Sequence, residues 1–314
     1  MKKIATLALA AALSCAASAQ DTSVSIALSG WTGFAPLTLA KEAGIFKKHG
    51  LDVSLKKVPQ KDRHLVIASG DVQCAATTVE TWIVWNANGV ATTQIFQLDK
   101  SYGADGMVVK SDITKISDLK GKTVAASAPG TAPYFTLAWM LKKNGLSPKD
   151  VKVVNLEPQA AANAMIAGNA GLDAAMTYEP YLSAVRSKPE AGKIIATTLD
   201  YPMIMDTFGC TPKFLADNPK AAKAIADSYF EAVEMIAKEP KKSFEIMGAD
   251  VKQSAEQFEA SQKYLRWQDR AANQKFFNGE HAQFSKEAAE LLLEAGIIKQ
   301  LPDMSKLADT RFIK

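Results

Sequence analysis

Histidine and cysteine are scarce in this chain, with three of each in 314 residues. His49, His64 and His281 show no metal-ligand spacing with one another or with a cysteine, which argues against a zinc site. No clustered nucleophile and base stand out, and no cofactor is expected from the motifs. A basic run is also missing. The 37 Lys and Arg and 33 Asp and Glu are interspersed, for a net charge of +4, whereas nucleic-acid binders concentrate their cations on one face. Beyond residue 20 no apolar stretch is long enough to span a bilayer.

The one pronounced apolar run opens the chain. MKKIATLALAAALSCAASAQ carries two lysines, a short apolar core and a small-residue exit at Ala17-Ser18-Ala19. This is the pattern of a secretory leader, with cleavage expected after Ala19 to leave Gln20 as the new terminus. Cys15 offers lipid attachment as a rival, but Ala12 stands where such sites usually have leucine. Removing the leader takes away Lys2 and Lys3 and lowers the net charge from +4 to +2. The remaining length suits two domains with ample core. Cys74 and Cys210 each sit in an apolar run. Export permits a disulfide, but two buried thiols are the favoured expectation.

Along the rest of the chain strands and helices alternate. VSIAL is a strand and PLTLAKEAGIF an amphipathic helix. His49-Gly50 ends that unit and LDVSLKKV begins the next. RHLVIASGD, VQCAATT, VETWIVWNANGV and TTQIFQLD continue the alternation, which predicts parallel sheets with right-handed crossovers. After SYGADGMVVK the scheme restarts with TVAAS, a helix, VKVVNL, AAANAMIAGNA, LDAAMTY and PYLSAVRSK. Residues 218–299 read as mostly helical. GMVVK and YPMIMDTFGC read as strands crossing between two lobes. Lobe one is expected to comprise 20–107 and 208–314, with 108–207 as lobe two. Ligands of such sheets bind beyond the carboxyl ends of the strands, so facing lobes would share one cleft.

APLTLAKEAGIFKKHGLDVSLKKV, ASGDVQCAATT, ISDLKGKTVAASAPGTAPYF, GLDAAMTYEPYLS and the closing TRFIK resemble, in order and spacing, the solute-binding proteins of ABC importers. The subgroup is that of nitrate, taurine and aliphatic sulfonates, and thiamine-pyrimidine precursors. The resemblance implies a two-lobed α/β fold, the periplasmic-binding-protein fold of the second type. Each lobe would be a mostly parallel sheet flanked by helices, and two crossing strands would join them. It further implies a periplasmic location, hinge closure on a small-molecule solute, delivery to an inner-membrane ABC permease, and a monomer. A pyrimidine synthase shares the fold, but its family's cysteine-dense motif is missing here.

Four strand-to-helix turns supply the candidate ligand contacts. In the first, GWTGFA, aromatic residues stand where turns usually favour small polar ones; Trp31, Thr32 and Phe34 are candidates to wall the cleft, the alternative being that both aromatics fold under the helix as core. The second holds Thr77, Thr78 and Glu80. Thr77 and Glu80 also fit a capping box, in which the glutamate merely caps its own helix. Trp82 and Trp85 share a helical face, and at least one is expected in the core. In the third turn Gly130 allows close backbone approach, Thr131 is a plausible cap, and Ala132 and Tyr134 open a helix whose free N–H groups suit an anion. In the fourth, Tyr178 and Glu179 end a strand, and Glu179 either contacts ligand or favours the helix dipole. Asp105, between glycines near the hinge, is a turn residue or a cleft floor.

None of these four turns holds lysine or arginine, so an anion would rest on N–H dipoles, while Glu179, joined by Glu80 or Asp105, would repel a plain anion such as nitrate. A compact solute with an acidic group at one end and an amine or ring N–H at the other, flanked by Trp31 and Tyr134, fits best. Taurine-like zwitterions match, and a nitrogen-rich ring matches less well.

Overall fold

The computed structural model describes residues 21–314; the leader, its cleavage site and Cys15 lie outside them. Eleven strands are defined among the described residues: β1 Thr22–Leu28, β2 Leu51–Lys57, β3 Cys74–Thr78, β4 Thr93–Ser101, β5 Asp105–Val109, β6 Thr123–Ala126, β7 Lys152–Asn155, β8 Ala174–Tyr178, β9 Lys193–Thr197, β10 Met205–Cys210 and β11 Leu265–Trp267. They form two sheets, ordered β2-β1-β3-β10-β4-β11 and β7-β6-β8-β5-β9.

The two orders repeat one plan. In each, a parallel trio (β2-β1-β3 or β7-β6-β8) is followed by an antiparallel strand and then by one running with the trio, and the first sheet adds β11, antiparallel to β4. The antiparallel strand comes from the far end of a crossing. β5 carries the chain into the second sheet after β4, and β10 returns it to the first after β9. GMVVK and the end of YPMIMDTFGC are therefore both built into sheets, and the crossings themselves are the short stretches 102–104 and 198–204.

Alternation along each strand explains the layers. Val24, Ile26 and Leu28 of β1 join Cys74 and Ala76 of β3 in the core under the helix Ala35–Glu42 and the long helix Pro219–Lys238. Ala27 and Ala75 point the other way, onto Trp82 and Trp85. A sheet covered on both faces needs such near-continuous apolar strands. Another core gathers Phe135 and Leu141 with Ile83 and with Phe284, Ala288 and Leu292 of the helix His281–Glu294. Helices belonging to both halves of the chain thus pack in one apolar body.

Three sequence readings are corrected. Cys74 and Cys210 form a disulfide rather than two core thiols. Their apolar runs are neighbouring antiparallel strands with the cysteines directly opposite, a pairing that neither run discloses alone. The helix expected over PLTLAKEAGIF breaks at Gly44, which takes φ +75° and separates Ala35–Glu42 from Ile45–Lys48. The region read as mostly helical contains β11, whose three residues are too few to show a period.

Candidate functional site

The carboxyl ends of β1 and β3 face those of β6 and β8, and between them lies a cavity of about 20 Å³, room for about one water molecule. On the first-lobe side it is lined by Ser29, Trp31, Phe34, Gln60, Arg63 and Thr78. Asp105, Ala132 and Tyr178 close it from the other side, with Ile204 at the end of the returning crossing and Asp206 on β10. With so little free space, a solute enters only if the lobes part.

The first turn owes its composition to this junction. The Trp31 indole N–H donates to both carboxylate oxygens of Asp99 at 3.3 Å, and its ring stands edge-on to Tyr178. Gly33 is needed because a β-carbon there would lie 2.1 Å from the indole nitrogen and 2.2 Å from Asp99 Oδ2, a clash no real Cβ tolerates. Gly30 passes close to the opposite lobe, where a β-carbon would lie 3.0 Å from the Tyr181 hydroxyl. The turn is thus a fitted surface between lobes.

Arg63, which the four-turn reading missed, is the buried cation of the cavity, 1% exposed. Its Nε donates to the Val58 carbonyl at 3.0 Å and its Nη1 to that of Ala76 at 2.7 Å, and its guanidinium lies 5.9 Å from the centre of the Phe34 ring. Burial lowers its pKa to about 10, with Tyr178, Asp206 and Glu157 opposing, so it stays charged at neutral pH. The cavity thus holds a cation, although none of the four turns supplies one. The signal was available: VPQKDR, after β2, is a fifth strand-to-helix turn.

Asp206, which faces Arg63, stands among further buried acids, Asp99, Asp105 and Glu80. Burial raises Glu80 to about 8 despite the Thr78 hydroxyl that donates to it. Burial, helped by the charge of Glu179, raises Asp105 to about 7. Asp99 and Asp206, each buried beside the other, are both held well above the usual carboxylate range. Glu80 Oε2 and Asp105 Oδ2 have no hydrogen-bond partner among the described residues. Unpaired buried carboxylates are costly, and a cationic group brought to Asp105 and Asp206 would relieve that cost.

The other candidates sit elsewhere. Thr32 is buried beside the junction, where its N–H donates to the Glu179 carbonyl at 3.4 Å. Thr77 is turned behind the wall, its hydroxyl accepting from Gln60 at 3.0 Å. Glu80 bonds the Thr78 hydroxyl, so the Thr77–Glu80 capping box does not form. Thr131 occupies the cap position of the helix Ala132–Lys143 but makes no side-chain cap; its hydroxyl donates to the Ala128 carbonyl at 2.7 Å. Gly130 and Thr131 line a separate outer groove with His64 and Trp85. Tyr134 is half-buried and outside the cavity lining. The Glu179 carboxylate is engaged by the Arg186 guanidinium and accepts from Ser183 N–H at 3.1 Å, so its charge is satisfied within its own lobe.

Two facing α/β lobes with a buried polar cleft define the fold of periplasmic binding proteins. Residues 31–243 match the family described as NMT1/THI5 like, and the chain belongs to that family. It is 28% identical over 219 residues to the taurine-binding periplasmic protein of Escherichia coli (strain K12), an alignment covering 68% of this chain and 67% of that protein. Its fold is similar to that of the alkanesulfonate-binding protein SsuA from Xanthomonas axonopodis pv. citri (TM-score 0.79, 15% identity, 93% of this chain and all of that one). The desulfurization enzyme DSZB is also similar (TM-score 0.66, 13% identity, 93% and 97% covered), so the fold alone does not separate binding from catalysis.

Proposed function

We propose that this protein is the extracytoplasmic solute-binding component of an ABC importer, exported after cleavage at Ala19, working as a monomer with an inner-membrane permease. Its solute is a compact zwitterion of the taurine or aminoalkanesulfonate type. The observation that carries this reading is the joint burial of Arg63 with Asp105 and Asp206 in one aromatic-walled cavity. An acidic end would pair with Arg63, where a bidentate charge-assisted bond is strong. An ammonium end would pair with Asp105 and Asp206 under Trp31 and Tyr178, whose ring faces also favour cations. The taurine-binding relative supports the class.

A plain anion such as nitrate would satisfy Arg63 and leave the acids unpaired. A nitrogen-rich ring, such as a thiamine-pyrimidine precursor, is favoured by the same aromatic walls but would leave Arg63 without an anion. Catalysis of the pyrimidine-synthase kind is disfavoured because Cys74 and Cys210 are spent in a disulfide. Calorimetry on the processed protein against taurine, alkanesulfonates, nitrate and aminopyrimidines tests the reading. Stoichiometric binding of taurine or a homologue, without turnover, is expected. Tight nitrate binding, or consumption of the solute, would overturn it.

A further inference from the structure

Gln60 joins the two lobes through one side chain. It is 9% exposed and begins the turn Gln60–Asp62 after β2. Its Nε2 donates to the hydroxyls of Thr77 and Thr81, both at 3.0 Å, on its own lobe. Its Oε1 accepts from the N–H of Ala132, at 3.2 Å, on the other. Ala132 is the first residue of the 12-residue helix Ala132–Lys143. The leading amides of a helix have no partner within it and attract negative charge. Here the acceptor supplied is a neutral amide oxygen, held in place by two threonines.

Arg63 follows three residues later on the same turn and lines the same cavity. The turn therefore presents a neutral acceptor to the helix end and a cation to the interior. An oxyanion of the solute finds the leading amide of the helix already taken and the guanidinium available.

We propose that Gln60 is a specificity-determining residue that works by occupying the helix end of the opposite lobe. It excludes small free anions from that position, directs the acidic end of the solute to Arg63, and contributes a hydrogen bond to closure. This rests on the cleft being the solute site, as proposed above.

Gln60→Met keeps length and removes all three hydrogen bonds; Gln60→Glu keeps an acceptor at the helix end. Each is compared with the unaltered protein by calorimetry with taurine and, separately, with sodium sulfate and sodium nitrate, and by small-angle scattering without ligand. Thermal melts confirm that the variants fold. Gln60→Met should weaken taurine by about tenfold, as loss of one or two net hydrogen bonds implies. It should also bind sulfate or nitrate about tenfold or more tightly than the unaltered protein, and be more extended in scattering. Gln60→Glu should continue to exclude both anions. If Gln60→Met gains no anion affinity, the inference is overturned whatever its effect on taurine, and equally if Gln60→Glu gains as much. Should the unaltered protein bind none of the organic solutes, the functional reading fails, while gained sulfate or nitrate binding in Gln60→Met would still uphold the role of Gln60.

Discussion

The indole of Trp31 meets the ring of Tyr178 edge-on, with centroids 5.3 Å apart and planes at 76°, although Trp31 follows β1 of one sheet and Tyr178 ends β8 of the other. An edge-to-face pair of this kind contributes about 0.5–1.5 kcal/mol beyond its buried area. Because it crosses the cleft, that contribution exists only when the lobes are together. The same indole holds Asp99, so one side chain serves both closure and the buried acids.

Trp31→Ala should therefore weaken solute binding by about 1.5–3 kcal/mol, the scale of losing one large buried apolar wall. Trp31→Phe should recover part of that loss, because it restores an aromatic edge but not the N–H donated to Asp99. Calorimetry on both variants checks this; equal affinities for Trp31→Phe and Trp31→Ala would show that the ring does not act as a wall.

Arg63→Met should be costly even without solute. It removes the cation beside Asp206 and Glu157 and leaves the Val58 and Ala76 carbonyls without their donors. Breaking a buried charge arrangement from one side costs roughly 3–5 kcal/mol. The variant should also lose binding of sulfonates while retaining weak affinity for simple amines. A denaturant titration and calorimetry with propanesulfonate and propylamine separate the two effects.

Acidity should stabilise the ligand-free protein. Glu80 and Asp105 are raised by burial to about 8 and about 7, far above their values in an unfolded chain. Between the unfolded and folded values the native state holds more protons, so stability falls as pH rises. The melting temperature should decline from about pH 4.5 to 8 and then level off, as the cited pKa shifts and linkage imply. Solute binding should run oppositely. An ammonium favours ionised Asp105, so affinity for taurine should rise through about pH 7 with proton release, visible as a buffer-dependent enthalpy. A flat melting profile across this range would contradict the protonated acids.

Reduction of the Cys74–Cys210 disulfide should lower stability by about 2–5 kcal/mol, since the bond closes a loop with a sequence separation of 136 residues. Denaturant titrations with and without reductant measure the difference. Cys74→Ala/Cys210→Ala should reproduce the reduced protein.

The fold was legible because its signals are local and repeated. The paired α/β units show in the alternation of strand and helix, whereas GMVVK and the end of YPMIMDTFGC mark the sheet strands each crossing leads into rather than the crossings themselves. The cleft was legible in part. Trp31, Phe34, Thr78, Ala132 and Tyr178, on strand-to-helix turns, and Asp105, between glycines near the hinge, line the cavity. Gln60 and Arg63 are not legible in this way because the stretch after β2, VPQKDR, is charged and reads as solvated surface. Asp206 was passed over because a returning strand offers no turn. Glu179 looked free in sequence because its partner Arg186 lies seven residues on, across a turn of helix, and only the folded segment brings them together. Tertiary pairing of charges has no period for a sequence reading to detect.

The disulfide also governs how the molecule would bear load. Cys74 and Cys210 lie on neighbouring strands of the first sheet, and the whole second sheet belongs to the chain between them. Tension applied at the two termini passes directly across the sulfur bridge, so the enclosed stretch carries none of it. Oxidised protein should withhold roughly 450–490 Å of contour from extension, the reach of its 136-residue separation, and yield that length only once a reductant opens the bridge. The half of the cleft built on β6 and β8 is mechanically sheltered, while the half built on β1 bears the pull.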